Sequence, residues 1–381
     1  MAKKRILILV LLLTLLLFSC NGSPYEPGVP VENIPFEVLG TPSAEKYPDG
    51  AVARCPWDMI LFDGKLYLGS GDYDVNAGPA DIYAYDPVSG SFEVSGTVPD
   101  EEVSRFCILY DELAAPGIDP KEEWDLGNYY TLKDGVWHKN RVIPGGIHVF
   151  DIVEFRGMLF AGLGVLAGEY PISFSLDGGE TFESVLMRKN GIRVKTDEND
   201  VVRTYDLFVC NDTLYATFTY GGSVYELYRY DEEKHVFHYV CDWSNTLKRI
   251  RYKYARIGEK VLFDDVLFFT TGYLYRADDI ASPEEINMPD GTVVCDIFVA
   301  NGAMYLLCGK KEADGGIKTT VMRMKDAASC GLETLFSFTY DIPPMSLVVS
   351  GEDFYIGMGS GTTKNEKNGT LLYVNYPLFK D

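Results

Sequence analysis

Histidine is scarce in this chain, with four in 381 residues: His138, His148, His235 and His238. They are too scattered for zinc-ligand spacing, and no C-x-x-C pair supplies an alternative. Beyond the first twenty residues no apolar run is long enough to cross a bilayer. Positive charge is also short, with 34 Lys and Arg against 56 Asp and Glu and a net charge of −22. That balance argues against nucleic acid and against an anionic membrane surface as partners. It leaves neutral or cationic ligands and divalent metals open. Helical periodicity is scarce as well. What the chain has instead is aromatic strand formers, 26 Tyr and 21 Phe, so the expected class is all-β.

The N-terminus reads as a targeting segment. Lys3-Lys4-Arg5 is a positive n-region and Ile6 to Phe18 an apolar h-region, which predicts a secretory leader over residues 1–19. Leu17-Phe18-Ser19-Cys20 resembles the lipobox of bacterial lipoproteins. That resemblance implies cleavage before Cys20, lipidation of its thiol and a place in the bacterial cell envelope, facing periplasm or exterior and attached to a membrane through lipid only. Residues 20–33, with Pro24, Pro27, Gly28 and Pro30, form a tether, and residues 34–381 form the folded domain. Its length exceeds the usual single core, but a repeat architecture reaches it as one domain. Of eight cysteines, Cys20 is the lipid site, leaving an odd seven. Cys107, Cys210, Cys295 and Cys308 sit in or beside strand-like runs and read as small buried hydrophobes. A disulfide is open in this compartment, with no pairing assigned.

A hairpin pattern recurs along the chain. Anchored on the first apolar residue after the turn, the copies fall at Leu66, Leu113, Leu159, Leu214, Leu267, Met304 and Phe354. The spacing centres near about 48 residues, what a four-stranded propeller blade needs. Asp63-Gly64, Asn211-Asp212, Asp264-Asp265 and Asn301-Gly302 suit two-residue turns with positive φ. Seven hairpins predict a seven-bladed β-propeller of four-stranded antiparallel blades, with six blades as the alternative. The last repeat stops after Thr370 to Val374, while Phe36 to Leu39 stands alone before the first hairpin. The stray N-terminal strand is therefore expected to close the last blade and remove two edges.

In the third repeat, Ser175, Asp177, Gly179, Thr181 and Phe182 fit S-x-D-x-G-x-T-F. This run resembles the Asp-box of sialidase-like BNR-repeat propellers; the other repeats share only an outline, one that kelch-like and quinoprotein-like propellers share too. The motif is structural: Ser and Asp hold a tight turn and the aromatic packs beneath it. The resemblance also raises a sialidase-like glycoside hydrolase or lyase as the alternative function. Such enzymes hold a substrate carboxylate with three arginines, the first in an R-I-P motif. Arg54-Cys55-Pro56 stands in a similar place, with Arg105, Arg203 and Arg256 as further candidates, but Ala53 and Cys55 depart from the motif. No tyrosine can be paired with a glutamate from sequence, and no catalytic residue is assigned.

Eight residues before each hairpin anchor lies a polar residue: Asp58, Arg105, Asp151, Asp206, Glu259, Asp296 and Ser346. The positions that follow on the same strand face are mostly apolar, so a ring of charge is expected where the innermost strands begin. Two readings compete. In one, each carboxylate accepts backbone N–H groups from the neighbouring blade. In the other, part of the ring binds a ligand together with nearby Trp57, His148, Phe150, Arg203, Tyr205 and Arg256, since aromatic faces beside arginine and carboxylates suit a glycan or peptide. Separately, Asp72, Asp74, Asn76 and Asp81 space oxygen ligands at alternate positions, as calcium loops do. The expected role is a non-catalytic platform binding a glycan, a peptide or an envelope partner protein, with calcium as a candidate ion.

Overall fold

A computed structural model describes residues 29–165, 170–194, 202–220, 224–243, 247 and 257–378. The leader, Cys20 and Arg256 lie outside the described residues. Within them the chain is all-β apart from short 3-10 turns. No helix there is long and apolar enough to cross a membrane.

All seven predicted hairpins form. Both central residues of the turns at Asp63-Gly64, Tyr110-Asp111, Arg156-Gly157, Asn211-Asp212, Asp264-Asp265 and Asn301-Gly302 have positive φ. This is the turn whose twist matches that of the flanking strands. Tyr110 is the one aromatic residue in the set, at φ 49. Its hydroxyl donates to Gly157 O at 3.1 Å and its N–H to Glu154 Oε2 at 3.1 Å. The next hairpin thus holds it in a conformation its side chain disfavours.

The hairpins build five separate sheets and one composite sheet of thirteen strands. The expectation of seven separate four-stranded blades, or of six, is corrected here. The meanders of the third and fourth repeats are not separate. Val202–Arg203 pairs antiparallel with Met158–Val165 on one side and with Thr213–Tyr220 on the other. At the other end of this sheet, Ile118–Pro120 bridges Gly146–Phe155 to Asp100–Glu102. A belt of short strands thus runs across the entry ends of the inner strands in the first four repeats. Strands of two or three residues carry no readable period, which is why the pattern did not show them.

Closure follows the expected route with one addition. Glu37–Gly40 pairs antiparallel with Thr370–Asn375 and completes the last sheet. Just before it, Val31–Glu32 pairs parallel with Leu332–Tyr340, adding a fifth strand to the sixth repeat. Ile34, between the two, is 2% exposed and packs in the cluster of Phe336, Phe354 and Tyr376.

The Ser175–Phe182 corner is held by its own side chains. Ser175 Oγ donates to Asp177 Oδ1 at 2.7 Å and accepts the Gly179 N–H at 2.8 Å. Asp177 accepts the Thr181 N–H at 2.9 Å and its hydroxyl at 2.6 Å. These bonds, the Thr181 hydroxyl foremost, hold the Asp177 carboxyl well below its ordinary range. Gly179 has φ 96, and a Cβ there would fall 2.2 Å from Tyr129 Oη. Phe182 meets the Tyr129 ring edge-on beneath the turn, at 6.0 Å.

The seven described cysteines are all free thiols. Burial pushes the Cys55 thiol up to about 12 and that of Cys241 to about 11, so both are poor nucleophiles.

Candidate functional site

The ring residues staple neighbouring repeats. Asp58 accepts the N–H of Met59 at 2.7 Å and of Phe106, on the next repeat, at 2.6 Å. Asp296 does the same with Ile297 at 2.8 Å and Leu347 at 2.6 Å. Asp151 accepts Leu207 N–H at 2.8 Å, and Asp206 accepts Ile257 N–H at 3.3 Å. Ser346 closes the circle by donating to Pro56 O at 2.8 Å. Each carboxylate replaces with its own oxygens the solvent that buried backbone donors lose.

Two cations cross the middle of this ring. Arg105 Nη1 lies 3.0 Å from Asp151 Oδ2, and Nη2 lies 3.2 Å from Asp206 Oδ1. Nη2 also donates to Gly258 O at 3.2 Å. Lys260 Nζ reaches Asp151 Oδ2 at 2.6 Å and stands 3.8 Å from Asp206. Burial alone would raise the Asp151 pKa, but Lys260 and Arg105 outweigh it and hold the group below its ordinary range. This half of the ring is a closed ion-pair network.

The other half lacks that compensation. Burial, then the charge of Glu259, push Asp58 up to about 7. Burial, Glu259 and Asp58 push Asp296 well above its usual range. Glu259 is itself raised by burial, against the pull of Arg105 and Lys260. A carboxyl raised in the folded state contributes stability that is fully present below its unfolded pKa and lost as pH rises through the folded one. Melting temperature should therefore fall as pH rises from 5 to 8. Glu259→Gln keeps the Oε1 acceptor that the Lys260 N–H uses at 3.0 Å, yet removes the charge its neighbours feel. It should flatten that slope. Parallel melting curves for parent and variant across the same pH range would count against the coupling.

Lys260 was not singled out from the sequence, although a signal existed. It stands where the other repeats carry Met59, Phe106, Ile152, Leu207, Ile297 and Leu347. A charge on that otherwise apolar position marks a special partner. A second missed signal lies eleven residues after the ring position, where five of the seven repeats carry Gly69, Gly162, Thr217, Thr270 and Gly357, and the other two Pro116 and Leu307. Thr217 and Thr270 accept the N–H of Asp206 and Glu259, each at 3.2 Å. At Gly357 a Cβ would lie 2.4 Å from Ser346 Oγ.

Three residues upstream of the ring, the belt gathers an aromatic cluster around one arginine. His148 stacks on Phe150 at 5.2 Å, and Phe150 meets Tyr205 at 4.5 Å. Tyr73 flanks His148 at 5.8 Å. The Arg203 guanidinium lies 5.9 Å from both the Phe150 and Tyr205 ring centres, and its Nη1 donates to the Tyr205 hydroxyl at 2.7 Å. Arg203 Nε and His148 Nδ1 are buried and have no hydrogen-bond partner among the described residues. Burial, then the Arg203 charge, lower the His148 pKa to about 3, so the imidazole is neutral near pH 7. Nearby Asp119 is pushed up to about 6 by burial and by Glu101.

Other candidates sit elsewhere. Trp57 donates from Nε1 to Gly71 O at 2.7 Å. Arg54 is buried and spends its guanidinium on Tyr47 O, Glu366 O and Ala44 O. Arg54, Arg105 and Arg203 are thus held by three different sets of partners, and they do not form one carboxylate clamp. Members of the candidate calcium loop have protein partners of their own. Asp81 accepts from Thr97 at 2.6 Å and pairs with Lys46 at 2.7 Å. Asp72 caps a 3-10 turn through the Asp74 N–H, and Asn76 is the left-handed cap at its end. Among the described residues no group of three or more His, Cys, Asp or Glu side chains is arranged to hold a metal ion.

No protein-family profile and no curated protein matches the chain. Solved structures do. The chain is similar to U3-55K at 9% identity and TM-score 0.51, covering 89% of this chain and 98% of that one. It is similar to Chaetomium thermophilum Raptor at 10% identity and TM-score 0.50, over 84% of this chain and 28% of Raptor. A puromycin hydrolase S511A mutant complexed with PGG aligns at 12% identity and TM-score 0.49, over 86% of this chain and 53% of that one. At such identities the likeness concerns architecture alone. Together with the sheet order, the likeness to U3-55K and Raptor establishes an all-β propeller.

Proposed function

We propose that this chain is a lipid-anchored, extracytoplasmic propeller, tethered through Cys20, that acts as a non-catalytic binding platform for a glycan, a peptide or a partner protein at the belt. The observation that carries this reading is the cluster of Tyr73, His148, Phe150, Arg203 and Tyr205, with buried Arg203 Nε and His148 Nδ1 left without hydrogen-bond partners among the described residues. Buried polar atoms are nearly always satisfied, so two orphans in one cluster suit a site completed by an incoming ligand. The half-buried Tyr73 ring, backed by the fully buried Phe150 and Tyr205, supplies the apolar contact, and Arg203 and a neutral imidazole supply orientation. The ring carboxylates, spent on backbone N–H groups, serve as the rigid support beneath it.

Arg203→Met keeps most of the stem packed on the rings and removes the guanidinium. Losing a charge-assisted bond is worth about 1.5–3 kcal/mol, so affinity for a ligand found on a glycan and peptide panel should fall at least ~10-fold, with the melting temperature close to parent. Titration calorimetry on both proteins measures this. Equal affinities would place binding away from the belt.

A further inference from the structure

Away from the belt, a groove of about 320 Å³ opens on the fourth repeat, lined by Tyr215, Arg229, His238, Asp279, Ile280 and Ala281. Its first wall is one row across the sheet. Tyr215 pairs directly with Arg229, and Arg229 with His238, on three adjacent strands. On the same row the parallel strand Leu186–Lys189 sets Arg188 against His238. Residues directly opposite one another share a face, so the row presents an aromatic ring, a guanidinium and an imidazole side by side.

Three features of this row point to a ligand. Arg229 is exposed and makes no ion pair or side-chain hydrogen bond with any described residue, in a protein of net charge −22. His238 Nε2 is buried, stands 3.5 Å from Asp231 Oδ2 and makes no hydrogen bond with any described residue. Tyr215 is the half-buried end of a ladder of near-parallel rings. It stacks on Phe208 at 5.8 Å and 14°, Phe208 on Trp243 at 5.8 Å and 14°, and Trp243 on Phe269 at 5.3 Å and 11°. Phe269 in turn stacks on Tyr275 at 5.3 Å and 11°. The ladder fixes the Tyr215 ring, so a flat ligand meets a platform that loses little entropy on binding. On the opposite wall Asp279 accepts the Ala281 N–H with Oδ1 at 3.0 Å and offers carboxylate oxygen to hydroxyl donors.

We infer that this groove binds a hydroxylated ring carboxylate of the uronic-acid class, its ring on Tyr215, its carboxylate on Arg229 and His238, and a hydroxyl on Asp279. The volume sits at the low end of ligand sites, about 300–1,000 Å³, and fits one sugar unit. The site is separate from the belt and does not depend on the reading given for it.

Ligand-observed NMR on the full chain with glucuronate, glucose and benzoate tests this assignment. Glucuronate should bind, while glucose, which lacks the carboxylate, and benzoate, which lacks the hydroxyls, should bind at least ~10-fold more weakly. Arg229→Gln, at an exposed position, should weaken glucuronate by a similar factor with an unchanged melting temperature, whereas Arg203→Met should have no effect. No glucuronate binding at 10 millimolar, equal binding of all three compounds, or full retention in Arg229→Gln would each overturn the proposal.

Discussion

Deleting residues 29–40 is expected to leave protein that aggregates or melts without a cooperative transition. The segment does three things at once. Val31–Glu32 covers the edge of Leu332–Tyr340, Glu37–Gly40 covers the edge of Thr370–Asn375, and Ile34 fills the core between them. The Tyr376 hydroxyl also donates to Val29 O at 2.8 Å and would be left buried without its acceptor. Ile34 alone is worth about 1.5–3 kcal/mol of burial, and the Tyr376 bond about 1 kcal/mol more. The uncovered edges add the larger hazard, since long open strands pair with other chains. Against a total stability of about 5–15 kcal/mol, that loss is a large share. Calorimetry and size-exclusion chromatography of the truncated chain decide it. A monomer melting like the parent would mean that the two terminal strands do not close the ring.

Asp151→Ala should be the costliest single substitution in the ring, at about 3–5 kcal/mol. It removes the acceptor of the Leu207 N–H and leaves Arg105 and Lys260 with only Asp206 and the charge of Glu259. Ser346→Ala removes one hydrogen bond and should cost about 1 kcal/mol. Asp296→Ala also loses two backbone bonds, but it relieves repulsion with Asp58 and Glu259. At pH 8 it should therefore fall between the other two. Guanidinium unfolding of the three variants gives the ranking. Three equal losses would show that the ion-pair network adds nothing to the staples. Because the Asp151 pKa is depressed, its contribution is present above its unfolded pKa and lost as pH falls through the folded one. The Asp151→Ala deficit should shrink in strong acid.

The contrast within the ring was out of reach of pattern reading. Repetition gives Asp151, Asp206 and Asp296 the same place on their strands. They differ because Arg105 and Lys260, from two different repeats, meet on one side of the ring and leave the other side to three carboxyls. Sequence places a residue on its own strand face; it does not say which distant repeat lies across the axis.

What the sequence by itself determined is local. The hairpins follow from alternating apolar residues around turn pairs such as Asp63-Gly64 and Asn301-Gly302, whose short side chains tolerate positive φ. The Ser175–Phe182 corner follows from hydrogen bonds spanning two to four residues. The ring positions follow from one polar residue breaking each apolar strand face. Tertiary structure alone decided the rest. The belt that fuses two repeats rests on strands of two or three residues, stabilised by neighbours far apart in sequence rather than by their own pattern. Arg54 resembled a substrate clamp in its local motif, but the carbonyls of Tyr47, Ala44 and Glu366 surround it. The spacing of Asp72, Asp74, Asn76 and Asp81 did not say that Asp81 would meet Lys46 and, on the adjacent strand, Thr97. A spacing fixes which residues can meet, and a buried polar group is assigned only when the partner that offsets its desolvation has been brought to it.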